Sequence, residues 1–506
     1  MTGPVMSLSM SASSPSLSER SAPILDWLAS ETSEDTDLEI SALVRHLEEM
    51  AGSEINRNQF YRCLELIHTR SLVIAAQMRQ HLATGALPLT IGLHRSATRM
   101  IGALGKIVDG YEQLLEETRN RLVRTTRRNP ETLSAKALRL LGEQLTLSHL
   151  AGSAAPFDFW QRAHALFRLS GRDAQTGDGA AEAPESVATA YKYLLCLAAT
   201  QPEGLTGREI CWLSDYIAEH ANECRLRDTA PTRNRAAWYW IDPDQNASPV
   251  SFSRREPPPV DGLLYFSAEE LARGATELID TLDGDQAPTH DLPAWLRRGE
   301  AATLLRRVRE YWAAPPHRAH TRRRNQYPIT VCCGLESIWK MLRAPAGPRQ
   351  NRFSTEWMVV NESPTGYAIM QVTGAAANLG PGIALALRRS EDEQWTICVV
   401  RWIRTETPEQ VELGLQVVAN SAKPVTVGFR NSAKAQPMKP ALVLPPLPAL
   451  GKAQSILAPG GTYTARRFML VSDTQRLYVA QGRLLSLDMQ TAAVELFQYE
   501  IDPYPL

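Results

Sequence analysis

Apolar positions recur at helical spacing through the first third of the chain. Ile40, Leu43, Val44, Leu47 and Met50 share one helical face, as do Phe60, Leu64 and Ile67, and the apolar positions continue with Val73 and Met78. Ile101, Leu104, Ile107, Tyr111 and Leu115 continue the pattern. The far side of each stripe is polar, so these helices are expected to pack on one another as a bundle. Asn129-Pro130 marks a break, and another helical segment runs from Ser134 to Leu150. Residues 171–186 are small, polar and Gly-rich, which reads as a linker. Helical spacing returns over Val187 to Thr200, Thr206 to Cys224, Ser267 to Leu282 and Ala294 to Trp312. Prolines, arginines and the string Trp238-Tyr239-Trp240 interrupt it over residues 229–262. Core packing is the expected use of those aromatics.

Pro315-Pro316 stops the helical pattern, and beyond it the apolar period falls from 3.6 to 2. Strands are expected over Tyr327 to Leu335, Thr355 to Val360, Tyr367 to Thr373, Gly382 to Leu387, Gln394 to Arg404 and Gln410 to Val418. Short strands at this spacing, separated by Gly, Pro and Asn turns, predict a barrel or sandwich. Residues 432–451 are Pro-rich and read as extended. Further strands are expected near Thr462 to Val471, Arg476 to Leu487 and Thr491 to Tyr499. No internal repeat is evident. The fold class is therefore α+β and multidomain, with N-terminal α-helical bundle regions, an antiparallel β-barrel and a β-rich C-terminal extension. The expected boundaries are a disordered Ser-rich leader (1–22), a helical domain (23–170), a linker (171–186), a second helical region (187–313), the barrel (314–425) and the extension (426–506).

Composition changes this picture little. The chain has 506 residues and a formal net charge of -1, so the whole protein is not built to bind a polyanion, and no nucleic acid polymer is expected as a partner. Its seven cysteines are scattered, without C-x-x-C or zinc spacing, which predicts reduced buried thiols and no metal site. No apolar run reaches the ~18–20 residues a membrane span needs. The N-terminal stretch lacks the basic start and apolar core of a signal peptide. A cytoplasmic location is expected.

Charge is concentrated at one place. Arg297, Arg298, Arg306, Arg307, Arg309, Arg318, Arg322, Arg323 and Arg324 crowd the junction between helices and strands, against Glu300 and Glu310. The first five sit on a helix, where long charged side chains usually form a solvated face. The last four read as a loop before the first strand. Arg318-Ala319-His320-Thr321-Arg322 is an R-x-x-x-R, and Asn361-Glu362-Ser363-Pro364-Thr365-Gly366 is an N-x-S-x-x-G between two strands. In that order and context, residues 316–420 resemble PilZ domains. A lengthened approach between the two motifs is read as a loop insertion over residues 343–353.

The resemblance implies a receptor for the second messenger cyclic di-GMP. Arg318 and Arg322 would clamp the ligand, Asn361, Ser363 and Gly366 would form the shelf on the barrel, and Arg323 or Arg324 would add a phosphate contact. The chemistry is consistent with that assignment. Arginine's planar fork gives bidentate hydrogen bonds to phosphate or to the guanine edge and stacks on bases. A short Asn and Ser can hydrogen-bond a guanine, and a glycine permits a tight turn. Neither a catalytic residue nor a cofactor is expected. Ligand binding at the junction would change how helices and barrel are arranged and how a protein partner meets the helical region. The rival reading is a degenerate PilZ scaffold that binds protein partners without the nucleotide.

Overall fold

The structure is a computed structural model that describes residues 17–52, 56–119, 129–169, 186–284, 292–315, 320–344, 352–371, 378–431, 434–435, 438–448, 451, 453–463, 467–473 and 477–502. Its first part is a helical body: α1 (Leu17–Ala29), α2 (Thr36–Ala51), α3 (Arg57–Thr84), α4 (Ile91–Arg119), α5 (Pro130–Leu150), α6 (Phe159–Leu169), α7 (Val187–Ala199) and α8 (Gly207–His220). The sequence signals its helix starts locally. Asp35 accepts hydrogen bonds from the amides of Asp37 and Leu38, and Asn129 accepts one from Glu131 with Pro130 in the first helical turn. Thr206 and Glu209 cap each other's backbone at the start of α8. α5 packs between α4 and α7 and buries Leu138, Leu141 and Leu145. The expected leader falls partly on α1, since residues 17–22 are helical, and its residues 1–16 lie outside the described residues. Most of the expected linker, residues 171–185, also lies outside them.

The interrupted stretch is a small antiparallel sheet rather than irregular chain. Its strands β1 (Arg225–Arg227), β2 (Trp238–Ile241), β3 (Val250–Ser251) and β4 (Leu264–Ser267) lie in the order β1-β4-β2-β3. Trp238, Tyr239 and Trp240 are all buried, so the aromatic string is core. Two more helices follow, α9 (Glu269–Asp283) and α10 (Arg298–Ala313). Trp312, at the end of α10, is fully buried and donates its Nε1 hydrogen to Thr200 Oγ1 at 3.1 Å.

Beyond Pro315 the strands form a closed antiparallel barrel. It comprises β5 (Arg323–Cys333), then the short helix α11 (Leu335–Arg343), then β6 (Ser354–Ser363), β7 (Gly366–Gln371), β8 (Ala384–Arg388), β9 (Thr396–Thr407) and β10 (Gln410–Ala419). Around the barrel the order is β10-β7-β6-β5-β8-β9. Alternation along β10 places Val411, Leu413, Leu415 and Val417 inside with Ile329, Val359, Leu385 and Val400. The sequence predicted these six strands but not α11. That helix occupies much of the long approach to β6, which was read as an insertion confined to 343–353; residues 345–351 lie outside the described residues.

The C-terminal extension is itself a ring of strands. β11 (Lys423–Asn431), β12 (Lys434–Ala435), β13 (Lys439–Leu444), β14 (Ser455–Pro459), β15 (Arg467–Ser472), β16 (Tyr478–Gln490) and β17 (Val494–Ile501) lie in the order β12-β11-β13-β14-β17-β16-β15, and β15 pairs back onto β11. Leaving aside the two-residue β12, the six strands pair in the same first-to-sixth connectivity as the first barrel. No repeat is evident in the sequence, yet the two sets of strands share one connectivity. The Pro-rich stretch contributes β13 to this ring. Val427, Ile456, Phe468, Leu470 and Phe497 fill its interior. Buried Glu495 holds the β14–β15 connection by accepting from the amides of Gly461, Thr462 and Tyr463.

The three bodies are packed together. α11 is wedged between the barrels, where Leu335, Ile338 and Met341 join Ala386, Val418, Leu442 and Leu496 in one core. The Trp339 indole donates to the Val425 carbonyl at 2.7 Å. Leu379 N–H donates to the Leu87 carbonyl at 2.9 Å, and Thr405 bonds to the end of α5. Thr303 of α10 bonds Gln490 of the second ring. No helix among the described residues is long and apolar enough to cross a membrane.

Candidate functional site

Where the helical body meets the first barrel there is an open cavity of about 680 Å³. One wall is the end of α7 and the turn after it, with Thr200, Gln201 and Glu203, together with Tyr239, Arg254, Arg307 and Tyr311 from the rest of the body. The opposite wall is barrel, with Arg322, Asn361, Arg401, Trp402, Arg404 and Glu412. Thr491 of the second ring also reaches it. The charged residues of the lining are five arginines and two glutamates, so the space is electropositive.

The local sequence explains how these groups are held. Gly414 lies opposite Trp402 in the barrel, and a side chain there would overlap the indole; the glycine lets the Trp402 ring lie flat across β10. The Arg404 guanidinium stands 5.2 Å from the Trp402 ring and 3.6 Å from the Glu203 carboxylate of the body. Arg307 pairs with Glu209 at 2.7 Å, so one carboxylate serves both the α8 cap and this arginine. The Tyr239 hydroxyl donates to the Tyr311 carbonyl at 2.7 Å, and burial pushes its pKa upward, which keeps it a neutral donor. Gln201 holds a left-handed backbone (φ 55°) at the cavity edge, an uncommon conformation for a residue with a side chain.

Of the residues singled out from sequence, the structure brings Arg322 and Asn361 together in this cavity. Asn361 Oδ1 is buried with no hydrogen-bond partner among the described residues. An unmet buried acceptor costs roughly 1–3 kcal/mol unless a ligand or water satisfies it. Arg318 lies outside the described residues. Arg323 and Arg324 are not in a loop. They are the first residues of β5, exposed, and opposite Glu362 and Asn361 across the ladder. The extended backbone there continues farther toward the arginine cluster than the sequence pattern showed, because exposed arginines on a strand carry no apolar alternation.

Ser363 and Gly366 close the β6–β7 hairpin around Pro364-Thr365 and are not among the residues lining the cavity. The Ser363 hydroxyl donates to the Gly366 carbonyl at 3.3 Å. Gly366 is required for a reason other than a tight turn. A Cβ on it would overlap the Leu415 carbonyl of the adjacent strand, and its backbone is not left-handed. Within the second motif Glu362 anchors a separate network. It accepts from Asn325 at 2.7 Å and Tyr327 at 2.5 Å and pairs with Arg389 at 2.8 Å. The Tyr327 hydrogen bond holds its carboxyl below the usual range, with Asn325 and Arg389 adding to the effect.

Sequence reasoning missed Tyr239, Arg254, Tyr311, Arg401, Trp402 and Arg404 as site residues. They belong to no motif and converge only in space. The helical arginines were read as a solvated face, yet several are engaged: Arg307 with Glu209, Arg306 with Asp283, and Arg298 with the carbonyls of Thr281 and Gly284. No group of side chains among the described residues is arranged to hold a metal ion.

Two family models match the chain. The N-terminal domain of the cyclic-di-GMP receptor FimW matches residues 22–232, and the middle PilZ domain of the same receptor matches residues 340–424. The cyclic-di-GMP receptor FimW of Pseudomonas aeruginosa PAO1 is 28% identical over 102 residues, a stretch covering 20% of this chain and 17% of that protein. No solved structure matches. The PilZ match contains Asn361, Ser363, Gly366, Arg401 and Trp402, whereas Arg254, Arg307 and Arg322 lie in the interval between the two matches. The motifs, the closed barrel and these matches agree: the chain is a PilZ-domain protein, with a helical body similar to the N-terminal domain of the cyclic-di-GMP receptor FimW.

Proposed function

We propose that this protein is a cyclic di-GMP receptor and not an enzyme, and that the ligand binds in the cavity between the helical body and the first barrel. One observation carries the reading: a roomy, arginine-lined cavity contains both Arg322 and Asn361, the latter with an unmet buried oxygen. Arginines give charge-assisted, often bidentate hydrogen bonds to phosphate, and aromatic rings at the cavity offer stacking surfaces to guanine. The Asn361 oxygen suits the N1–H and amino donors of a guanine edge. Arg318 would complete the clamp with Arg322, and Arg323 and Arg324 would contribute field rather than contact. Ser363 and Gly366 support the reading through the hairpin they hold.

Because the cavity has walls from two bodies, the ligand is expected to shift how firmly they dock, by as much as its affinity differs between the docked and undocked arrangements. A protein partner that senses the helical body would read that change. The test is titration calorimetry of cyclic di-GMP into the full chain, with GMP as the control ligand. Saturable binding that is selective for the cyclic dinucleotide and falls at least tenfold in Arg322→Ala supports the reading. Absence of binding at micromolar ligand overturns it and leaves the protein-binding scaffold as the better account.

A further inference from the structure

The turn that follows β3 has a specific construction. Ser251 accepts from the amides of Arg254 and Arg255 through its carbonyl, at 3.0 and 3.2 Å, and from the Ser253 amide through its hydroxyl at 3.1 Å. The Trp240 indole donates to the Arg255 carbonyl at 2.8 Å, which fastens the turn to the buried aromatic cluster. The Ser253 hydroxyl donates to the Pro315 carbonyl at 2.7 Å. Pro315 is the last described residue before the segment that contains Arg318 and Arg322. The turn is thus tied at one end to a rigid core and at the other to the root of the arginine motif.

Arg254 projects from this turn and lines the cavity that holds Arg322 and Asn361. It is exposed and makes no ion pair among the described residues, unlike Arg307, which is matched to Glu209. A fixed turn that brings one more guanidinium to a cavity already lined by arginines adds to a positive potential that favours an anion there. From this we infer that Arg254 is a ligand-contacting residue supplied by the helical body, which binds a phosphate of the dinucleotide across the cavity from Arg322. The inference rests on the proposed cyclic di-GMP reading and adds to it. The site is composite, and a barrel with an intact R-x-x-x-R and N-x-S-x-x-G would bind incompletely without the body. Through its bond to the Pro315 carbonyl, Ser253 ties the Arg254 turn to the chain just past the end of α10.

The experiment uses the full chain. Cyclic di-GMP affinity is measured for the parent, Arg254→Ala, Arg254→Lys and Arg255→Ala, the last removing the same charge from the same turn but outside the cavity. Loss of one charge-assisted phosphate contact predicts a fall of about tenfold or more for Arg254→Ala. Partial recovery is expected in Arg254→Lys, a change within threefold in Arg255→Ala, and a shallower salt dependence in Arg254→Ala alone. Unliganded melting temperatures that match the parent establish that the effect is not one of folding. If the parent binds and Arg322→Ala impairs it while Arg254→Ala does not, this inference fails and the cyclic di-GMP reading stands. If the parent does not bind, the underlying reading has failed instead. A variant that does not melt like the parent is replaced by Arg254→Gln, judged by the same tenfold criterion.

Discussion

Thr405, on β9 of the first barrel, donates its hydroxyl to the carbonyl of Ala151 at 3.0 Å and its amide to the carbonyl of Gly152 at 2.8 Å. Thr405 is fully buried by this contact with the end of α5. Gly152 has φ 72°, and a Cβ there would lie 2.6 Å from Thr405 Oγ1. Gly152→Ala is therefore expected to destabilise the protein by about 1–3 kcal/mol, through both the left-handed backbone and the steric conflict at the seam. Gly102→Ala, within α4 and with open space at its Cβ, should instead stabilise it by roughly 0.5–1 kcal/mol. Urea midpoints of the two variants check the pair.

Gly366→Ala tests whether that glycine belongs to the ligand or to the barrel. The new Cβ would overlap the Leu415 carbonyl, a backbone atom fixed in the β7–β10 pairing. The expected outcome is a loss of about 2 kcal/mol or more with or without nucleotide, comparable to other overpacked sites. Equal melting of variant and parent, with only affinity reduced, would assign Gly366 to the ligand.

Arg324→Ala separates contact from field. Arg324 is exposed on β5 and is not among the cavity-lining residues, whereas Arg322 is. Arg324→Ala is expected to reduce cyclic di-GMP affinity by no more than about threefold at physiological salt, where screening mutes exposed charges beyond ~8 Å. Calorimetry at low and physiological salt reads the difference. An effect as large as that of Arg322→Ala at both would make Arg324 a direct contact.

Acid should loosen the helical body. His68, His149 and His164 are each lowered to about 4, with burial the largest cause. His68 Nδ1 bonds the Tyr111 hydroxyl at 2.6 Å, and His164 lies between the Tyr191 hydroxyl at 2.7 Å and the Ala247 carbonyl at 3.1 Å. Both ring nitrogens of His149 lack partners among the described residues. These histidines are neutral when folded and take up protons on unfolding, so between their unfolded pKa of ~6.5 and about 4 the unfolded state binds more protons. Their contribution is full above ~6.5 and declines as pH falls toward 4. Urea midpoints across this window should fall as the pH is lowered, and His164→Gln should flatten part of the slope.

The sequence showed the outline of the fold because periodicity reports burial. The helical stripes led by Ile40, Leu64 and Leu104 and the alternation along Val411 to Val417 each imply one buried face, and the structure buries those faces, although Val73, which the helical pattern also included, is exposed. The second ring was hidden because prolines obscure β13 and because β14, Ser455–Pro459, is short and almost wholly buried, so no alternation marks it. α11 was hidden because Leu335, Ile338 and Met341 form a stripe too short to stand out beside a strand. At the candidate site, Asn361 and Arg322 were legible as motif residues. Trp402 and Tyr311 were not, since nothing local distinguishes an aromatic that faces a cavity from one that faces a core. Arg254 was equally silent, as its surroundings are set by bonds to Trp240 and Pro315 that only folding brings together.

The central claim is that one nucleotide site is built from two walls, and hydrogen–deuterium exchange on the full chain with and without saturating cyclic di-GMP tests it most directly. The account predicts slowed exchange on both sides at once: in peptides covering 320–324 and 398–404 of the barrel, and in those covering 198–205 and 251–255 of the body. Protection confined to the barrel, or unchanged exchange at both walls under saturating ligand, would contradict it.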